Sequence, residues 1–135
     1  MIRALAHVCF VVSDLQRSID FYHGSLGLEP AFYFTNDRGE KTGVYLRVGG
    51  RSFIELFTGQ VQPAAAQVSY RHFCLEVDDV EAAVAGLRQR AVECSDVKMG
   101  LDQSWQAWIT DPDGNRIELH QYTDASWQAP YVTPA

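Results

Sequence analysis

A repeat constrains what this chain can fold into more than any other feature of it. The run Ala6-His7-Val8-Cys9-Phe10-Val11-Val12-Ser13-Asp14-Leu15 lies without a gap on Arg71-His72-Phe73-Cys74-Leu75-Glu76-Val77-Asp78-Asp79-Val80, so that His7 meets His72 at an offset of 65. Further on, Phe53-Ile54-Glu55-Leu56 lies on Arg116-Ile117-Glu118-Leu119 at an offset of 63. The order of events within each half is therefore kept, which is the mark of one structural unit written twice. A chance pair of histidines would not bring the glutamates along.

Each copy opens on an apolar strand and then carries a helix-start signal, Ser13-x-x-Gln16 in the first and Asp78-x-x-Glu81 in the second, both with the spacing of a capping box. Leu15, Ile19 and Tyr22, and again Val80, Val84 and Leu87, follow at i, i+4 and i+7, giving each helix one apolar stripe to lay on a sheet. Gly24 and Gly27 end the first helix. Strands are then expected over 31–34, 43–48 and 51–57, with Gly49-Gly50 as a turn, and in the second copy over 93–98, 104–110 and 116–121, with Asp111-Pro112-Asp113-Gly114 as the hairpin turn. The organisation read from this is one domain over 1–135: module one at about 5–60, a linker at 61–69, module two at about 70–122 and a tail at 123–135.

Alternation along a strand sorts the repeated polar residues. Val8, Phe10 and Val12 make an all-apolar face that a helix must cover, leaving His7, Cys9 and Val11 opposite; the first copy's last strand puts Ile54 and Leu56 inside and Glu55 opposite. The second copy repeats this, with His72, Cys74 and Glu76 away from the helix, and Arg116, Glu118 and His120 likewise. A lone strand histidine is more often a hydrogen-bonded residue than a ligand, but recurrence at matched places reverses that reading. Two imidazoles and two carboxylates on one kind of face suit a divalent ion of the Mn, Fe, Co, Ni or Zn class. The same parity puts Tyr45, Arg47, Gln106 and Trp108 on that face as candidate substrate contacts. Cys9 and Cys74 read as small buried side chains beside the donors, and the odd number of cysteines, 3, points to reduced thiols.

Composition excludes other classes. A net charge of −6 with no Lys/Arg block is wrong for tracking phosphates, so no nucleic acid is expected as a partner. No apolar run approaches the length of a membrane span, and the start of the chain lacks a leader pattern; the expected location is cytoplasmic and no membrane partner is expected.

With these segments in view, notably His7-Val8-Cys9-Phe10-Val11-Val12-Ser13-Asp14-Leu15-Gln16-Arg17-Ser18-Ile19-Asp20-Phe21-Tyr22, Leu26-Gly27-Leu28 and Asp111-Pro112-Asp113-Gly114-Asn115-Arg116-Ile117-Glu118-Leu119, the chain resembles the vicinal-oxygen-chelate superfamily. The resemblance implies an α+β fold of two βαβββ modules forming a curved mixed sheet around a metal-binding cavity, as a homodimer. It implies one divalent metal ion per site (Ni, Co, Mn, Fe or Zn) on His7, Glu55, His72 and Glu118, with Glu55 or Glu118 as the catalytic base. The function so implied is a metal-dependent lyase or isomerase like glyoxalase I, working through a metal-stabilised enediolate on a small molecule with vicinal oxygens. Two alternatives stay open: an extradiol-type iron dioxygenase on His7, His72 and Glu118, and a non-catalytic small-molecule (antibiotic) binder. One departure bears on the substrate. Relatives of the glyoxalase I kind in bacteria carry an arginine for the glutathione carboxylate four residues after the first histidine, where this chain has Val11; the matching place in module two is Glu76, an acid that would repel such an anion.

Overall fold

A computed structural model describes Met1 and residues 3–62 and 69–132; most of the expected linker and the last residues of the tail fall outside them. The chain divides into two compact units, Met1–Gln67 and Val68–Ala135. In the first, β1 (His7–Val12) leads into α1 (Leu15–Ile19), a π-helical turn (Asp20–Ser25), β2 (Pro30–Thr35), β3 (Lys41–Gly49) and β4 (Ser52–Thr58). In the second, β5 (Phe73–Glu76) is followed by α2 (Val80–Gln89), β6 (Lys98–Met99), β7 (Trp105–Thr110) and β8 (Arg116–Gln121). Each unit has one four-stranded mixed sheet, ordered β1-β4-β3-β2 and β5-β8-β7-β6. The outer pair β1–β4, and likewise β5–β8, is parallel and the other pairings are antiparallel. The α+β architecture of two like modules is thus present.

Burial follows the predicted parity. Val12, Ile19, Tyr22, Val44, Leu46, Ile54 and Leu56 form the core of module one, and Val80, Val84, Leu87, Ala107, Ile109, Ile117 and Leu119 that of module two, every one of them at 6% exposure or less. Each large member contributes about 1.5–3 kcal/mol from leaving water, so the helix stripes and the inner strand faces hold each module together. Gly43 is required by this packing. A Cβ there would stand 2.6 Å from the Leu56 carbonyl oxygen and 2.7 Å from the Phe57 ring, so any larger residue must push β3 off β4.

Three local expectations are corrected. The helix caps are Asp14 and Asp79, one residue beyond Ser13 and Asp78: their carboxylates accept from the Arg17 and Ala82 amides at 3.0 and 2.9 Å. A carboxylate suits the positive end of a helix better than a hydroxyl does. The first helix does not end as one α-helix but widens into the π-helical turn, closed by the Leu26 amide on the Phe21 carbonyl at 3.0 Å. The strand expected over 93–98 shrinks to Lys98–Met99. Before it, the Ser95 amide still donates to the Trp108 carbonyl at 2.9 Å, but the Trp108 amide is taken by Ser95 Oγ at 2.9 Å and the Arg88 guanidinium ties up the Cys94 and Ser95 carbonyls at 3.2 Å each, so the pairing does not extend into a strand.

The segment after β8 is docked on module two. Ser126 is buried, with its Oγ 2.8 Å from Ser104 Oγ; the Trp127 amide donates to the Asp102 carbonyl at 2.9 Å, and Gln128 Nε2 donates to Asp102 Oδ2 at 2.6 Å. The Gln128 amide, helped by the Ser104 amide and hydroxyl and by His120, outweighs some desolvation and holds the Asp102 carboxyl below the usual carboxylate range. A depressed folded value stabilises the fold above the unfolded pKa of about 3.9, and that stabilisation is lost as pH falls through the folded value. Thermal melts from pH 6 down to pH 2 should therefore show an acid-dependent loss in the wild type that Asp102→Asn flattens; identical pH profiles would show that the Asp102 carboxylate does not hold the tail.

Candidate functional site

The polar residues of the repeat sit together within each module because the register puts them there. On module one, Glu55 of β4 has Cys9 of β1 on one side and Tyr45 of β3 on the other. His7 Nε2 lies 3.6 Å from Glu55 Oε2, while its Nδ1 shares a hydrogen bond of 3.1 Å with the Tyr45 hydroxyl. That bond fixes the ring and leaves Nε2 toward the carboxylate. Tyr45 is itself stacked between Phe32 and Phe53, with centroids 4.9 and 4.8 Å away. Arg47, two residues along the same face, is exposed.

Module two repeats the arrangement with Trp108 in place of Tyr45 and His120 in place of Phe57. Glu118 of β8 has Cys74 of β5 and Trp108 of β7 as register partners. His72 Nε2 is 3.1 Å from Glu118 Oε2, and the Trp108 ring meets the His72 ring edge-on at 4.8 Å, under the Arg116 guanidinium at 4.3 Å. The second Glu118 oxygen is engaged as well: His120 Nδ1 stands 3.1 Å from Oε1. His120 is 8% exposed, and its Nε2 lies 3.8 Å from Asp102 Oδ2 without a hydrogen bond. Glu76 is exposed at the end of β5.

Both carboxylates are shielded and both histidines half-open, with side-chain exposures of 17% for Glu55 and 14% for Glu118 against 42% for His7 and 36% for His72. Metal bonds of about 2.0–2.2 Å put adjacent donors about 3–3.6 Å apart, so each His–Glu pair already has the spacing of two neighbouring ligands. Nitrogen and carboxylate donors are also the right chemistry for an ion of the expected class. A tyrosine on the far ring nitrogen of His7 supplies the kind of outer support that ligating histidines have.

The cysteines correct an expectation: Cys9 and Cys74 are exposed, not buried. Although Cys74 is exposed as a residue, desolvation of its thiol, and then the Glu118, Asp102 and Glu76 carboxylates, push its pKa up to about 12. Desolvation and the neighbouring Glu55 likewise raise Cys9. Both are thiols at neutral pH and poor nucleophiles. His120 and Asp102 are the residues that the repeat did not reveal, because Phe57 occupies the matching place to His120 in module one; the strand parity shared with Glu118 was the available signal.

A family model described as Glyoxalase/Bleomycin resistance protein/Dioxygenase superfamily matches residues 4–119. The chain belongs to that superfamily. Among its relatives there, the lactoylglutathione lyase of Escherichia coli O157:H7 is 33% identical over 129 residues, covering 90% of this chain and 94% of that protein. The glutathione transferase FosA of Serratia marcescens is 32% identical over 123 residues, covering 89% and 82%. Among solved structures, TnmS3, an antibiotic binding protein from Streptomyces sp. CB03234, superposes with a TM-score of 0.73 at 28% identity, over 90% of this chain and 98% of that one. The proteins that this chain is similar to thus include a lyase, a transferase and a binder. Among the described residues no helix is long and apolar enough to cross a membrane.

Proposed function

We propose that this chain is a metal-dependent lyase or isomerase of the glyoxalase I kind, acting on a small molecule with adjacent carbonyl and hydroxyl oxygens. The observation that carries this reading is the pair of matched His–Glu contacts, His7–Glu55 at 3.6 Å and His72–Glu118 at 3.1 Å. Two donors are too few for an ion of this class and four suffice, so the pairs complete one another, within one chain or across a homodimer. A divalent ion held there (Ni, Co, Mn, Fe or Zn) supplies Lewis-acid polarisation of two neighbouring substrate oxygens. The protein's part is to move a proton: Glu55 or Glu118 takes it from the carbon next to the carbonyl and returns it to the neighbouring carbon. Tyr45 and Trp108 hold the histidine rings, and Arg47 and Glu76 set the charge that a substrate meets. A second carboxylate at Glu55 disfavours the dioxygenase, which needs open positions for oxygen and substrate.

The test is loss of the α-proton into D2O from simple α-hydroxycarbonyl compounds, followed by proton NMR with the chain loaded with each of the five metals. Exchange above the free-metal background is expected with at least one of them, and none with any metal overturns the reading. The likeness to the FosA transferase favours a second reading, thiol transfer to a small molecule, which would appear instead as a product heavier by the thiol. Native mass spectrometry is expected to show the homodimer, and fractionation of cells a cytoplasmic protein.

Glutathione substrates are expected to be poor. Val11 is exposed where a guanidinium would grip the tripeptide, and Glu76 occupies the matching place in module two. Losing a charge-assisted pair costs about 1.5–3 kcal/mol, or about 10- to 150-fold in binding. Steady-state assays with the methylglyoxal hemithioacetal should give kcat/KM below about 10⁵ M⁻¹s⁻¹, and a value well above it would show that another residue grips the tripeptide.

A further inference from the structure

We infer that module two carries a cation position of its own, made by Cys74, Glu118 and His120, which takes a thiophilic divalent ion such as Cd2+ or Zn2+. One donor atom from each of the three lies within 4.8 Å of the other two, and among the described residues this is the one such group of three or more. The backbone builds it: Cys74 is the register partner of Glu118 across β5–β8, and His120 follows Glu118 on the same face of β8. Bonds of about 2.3 Å to sulfur and 2.0–2.2 Å to nitrogen and oxygen ask the donors to stand about 3–4 Å apart. The 3.1 Å between His120 Nδ1 and Glu118 Oε1 already meets this.

A separate observation points to a ligand there. His120 is buried, with its Nε2 left without a hydrogen bond yet 3.8 Å from Asp102 Oδ2. Asp102 is itself fixed by Gln128 Nε2 at 2.6 Å and Ser104 Oγ at 3.2 Å. At 3.8 Å the contact between His120 and Asp102 is not a hydrogen bond; with Nδ1 on an ion, a shift of the ring by less than about 1 Å would let Nε2–H donate to the anchored carboxylate, the outer support that ligating histidines use. Module one serves as an internal control. It has the matching cysteine and glutamate, Cys9 and Glu55, but Phe57 in place of His120, and no such group of donors arises there among the described residues. The position shares Glu118 with the four-residue set proposed above but uses neither His7 nor Glu55, so variants of those two residues distinguish failure of one reading from failure of the other. Binding replaces the thiol proton by the metal and releases that proton to solvent.

The full-length chain is titrated with Cd2+ in the absence of other thiols, following the ultraviolet thiolate-to-cadmium charge-transfer band. The wild type is expected to develop the band to a stoichiometry of one. Cys74→Ser should abolish it while Cys9→Ser and Cys94→Ser keep it, and Asp102→Asn should weaken Cd2+ binding about 10- to 100-fold. His7→Ala with Glu55→Gln should leave the band intact while ending the proton exchange of the proposed lyase. Cys74 is exposed and its change to serine is nearly isosteric, so that variant should keep its fold, which circular dichroism checks. No band at one equivalent, a band that survives Cys74→Ser, or a band lost with His7 and Glu55 would each overturn the proposal.

Discussion

Glu118→Gln is expected to lower α-proton exchange by about 10²- to 10⁴-fold, the range that a positioned acid–base group contributes, while leaving the fold intact. The amide keeps the shape of the side chain but takes up no proton, and it is a weaker metal ligand than a carboxylate. Glu118 meets His72 and His120 at 3.1 Å through its two oxygens, so the change also leaves both imidazoles facing an amide. Glu55→Gln is expected to fall in the same range, because its 3.6 Å contact with His7 is the matching half of the arrangement. The measurement is the proton NMR exchange rate at saturating metal, beside thermal melts of the same samples. Exchange retained in both variants would remove the glutamates from the chemistry.

Leu56→Ala and Leu119→Ala should each cost about 2–5 kcal/mol, as large-to-small changes in a packed interior do. The two leucines hold equivalent places at 0% and 2% exposure, one in the core of each module. Their comparison also tests whether the repeat behaves as the single domain proposed from the sequence. Calorimetry should give one transition that both substitutions move downward. Two transitions, each sensitive to only one leucine, would show instead that the modules melt separately.

How much was legible in the sequence differs by level. The repeat exposed the modules and, through strand parity, the faces that hold His7, Glu55, His72 and Glu118, since a period of two carries over directly from sequence to sheet. Tyr45 and Trp108 were placed on the right face, but their contact with the histidine rings depends on rotamers that no pattern encodes. The caps were displaced by one residue because Ser13 and Asp14, like Asp78 and Asp79, are adjacent residues that can each cap a helix. The short β6 reflects side-chain hydrogen bonds from Arg88 and Ser95 that stop the pairing at one backbone bond, from the Ser95 amide to the Trp108 carbonyl. His120 was put on the site face by parity but not counted among the donors, because a repeat marks only what both copies keep and module one has Phe57 there.

The docked tail sets the length at which this polypeptide can be cut. The repeat stops near Tyr122 and the family model at residue 119, yet the partners that Ser126 and Gln128 give to Ser104 and Asp102 come later in the chain. A shortened chain ending at Tyr122 would strip buried Ser104 of its neighbouring hydroxyl and Asp102 of its amide donor, and unsatisfied buried polar groups are costly. The physical boundary of module two therefore lies beyond its boundary as a repeat. Tags and fusion partners joined to this protein belong after residue 132, where they leave that strap in place.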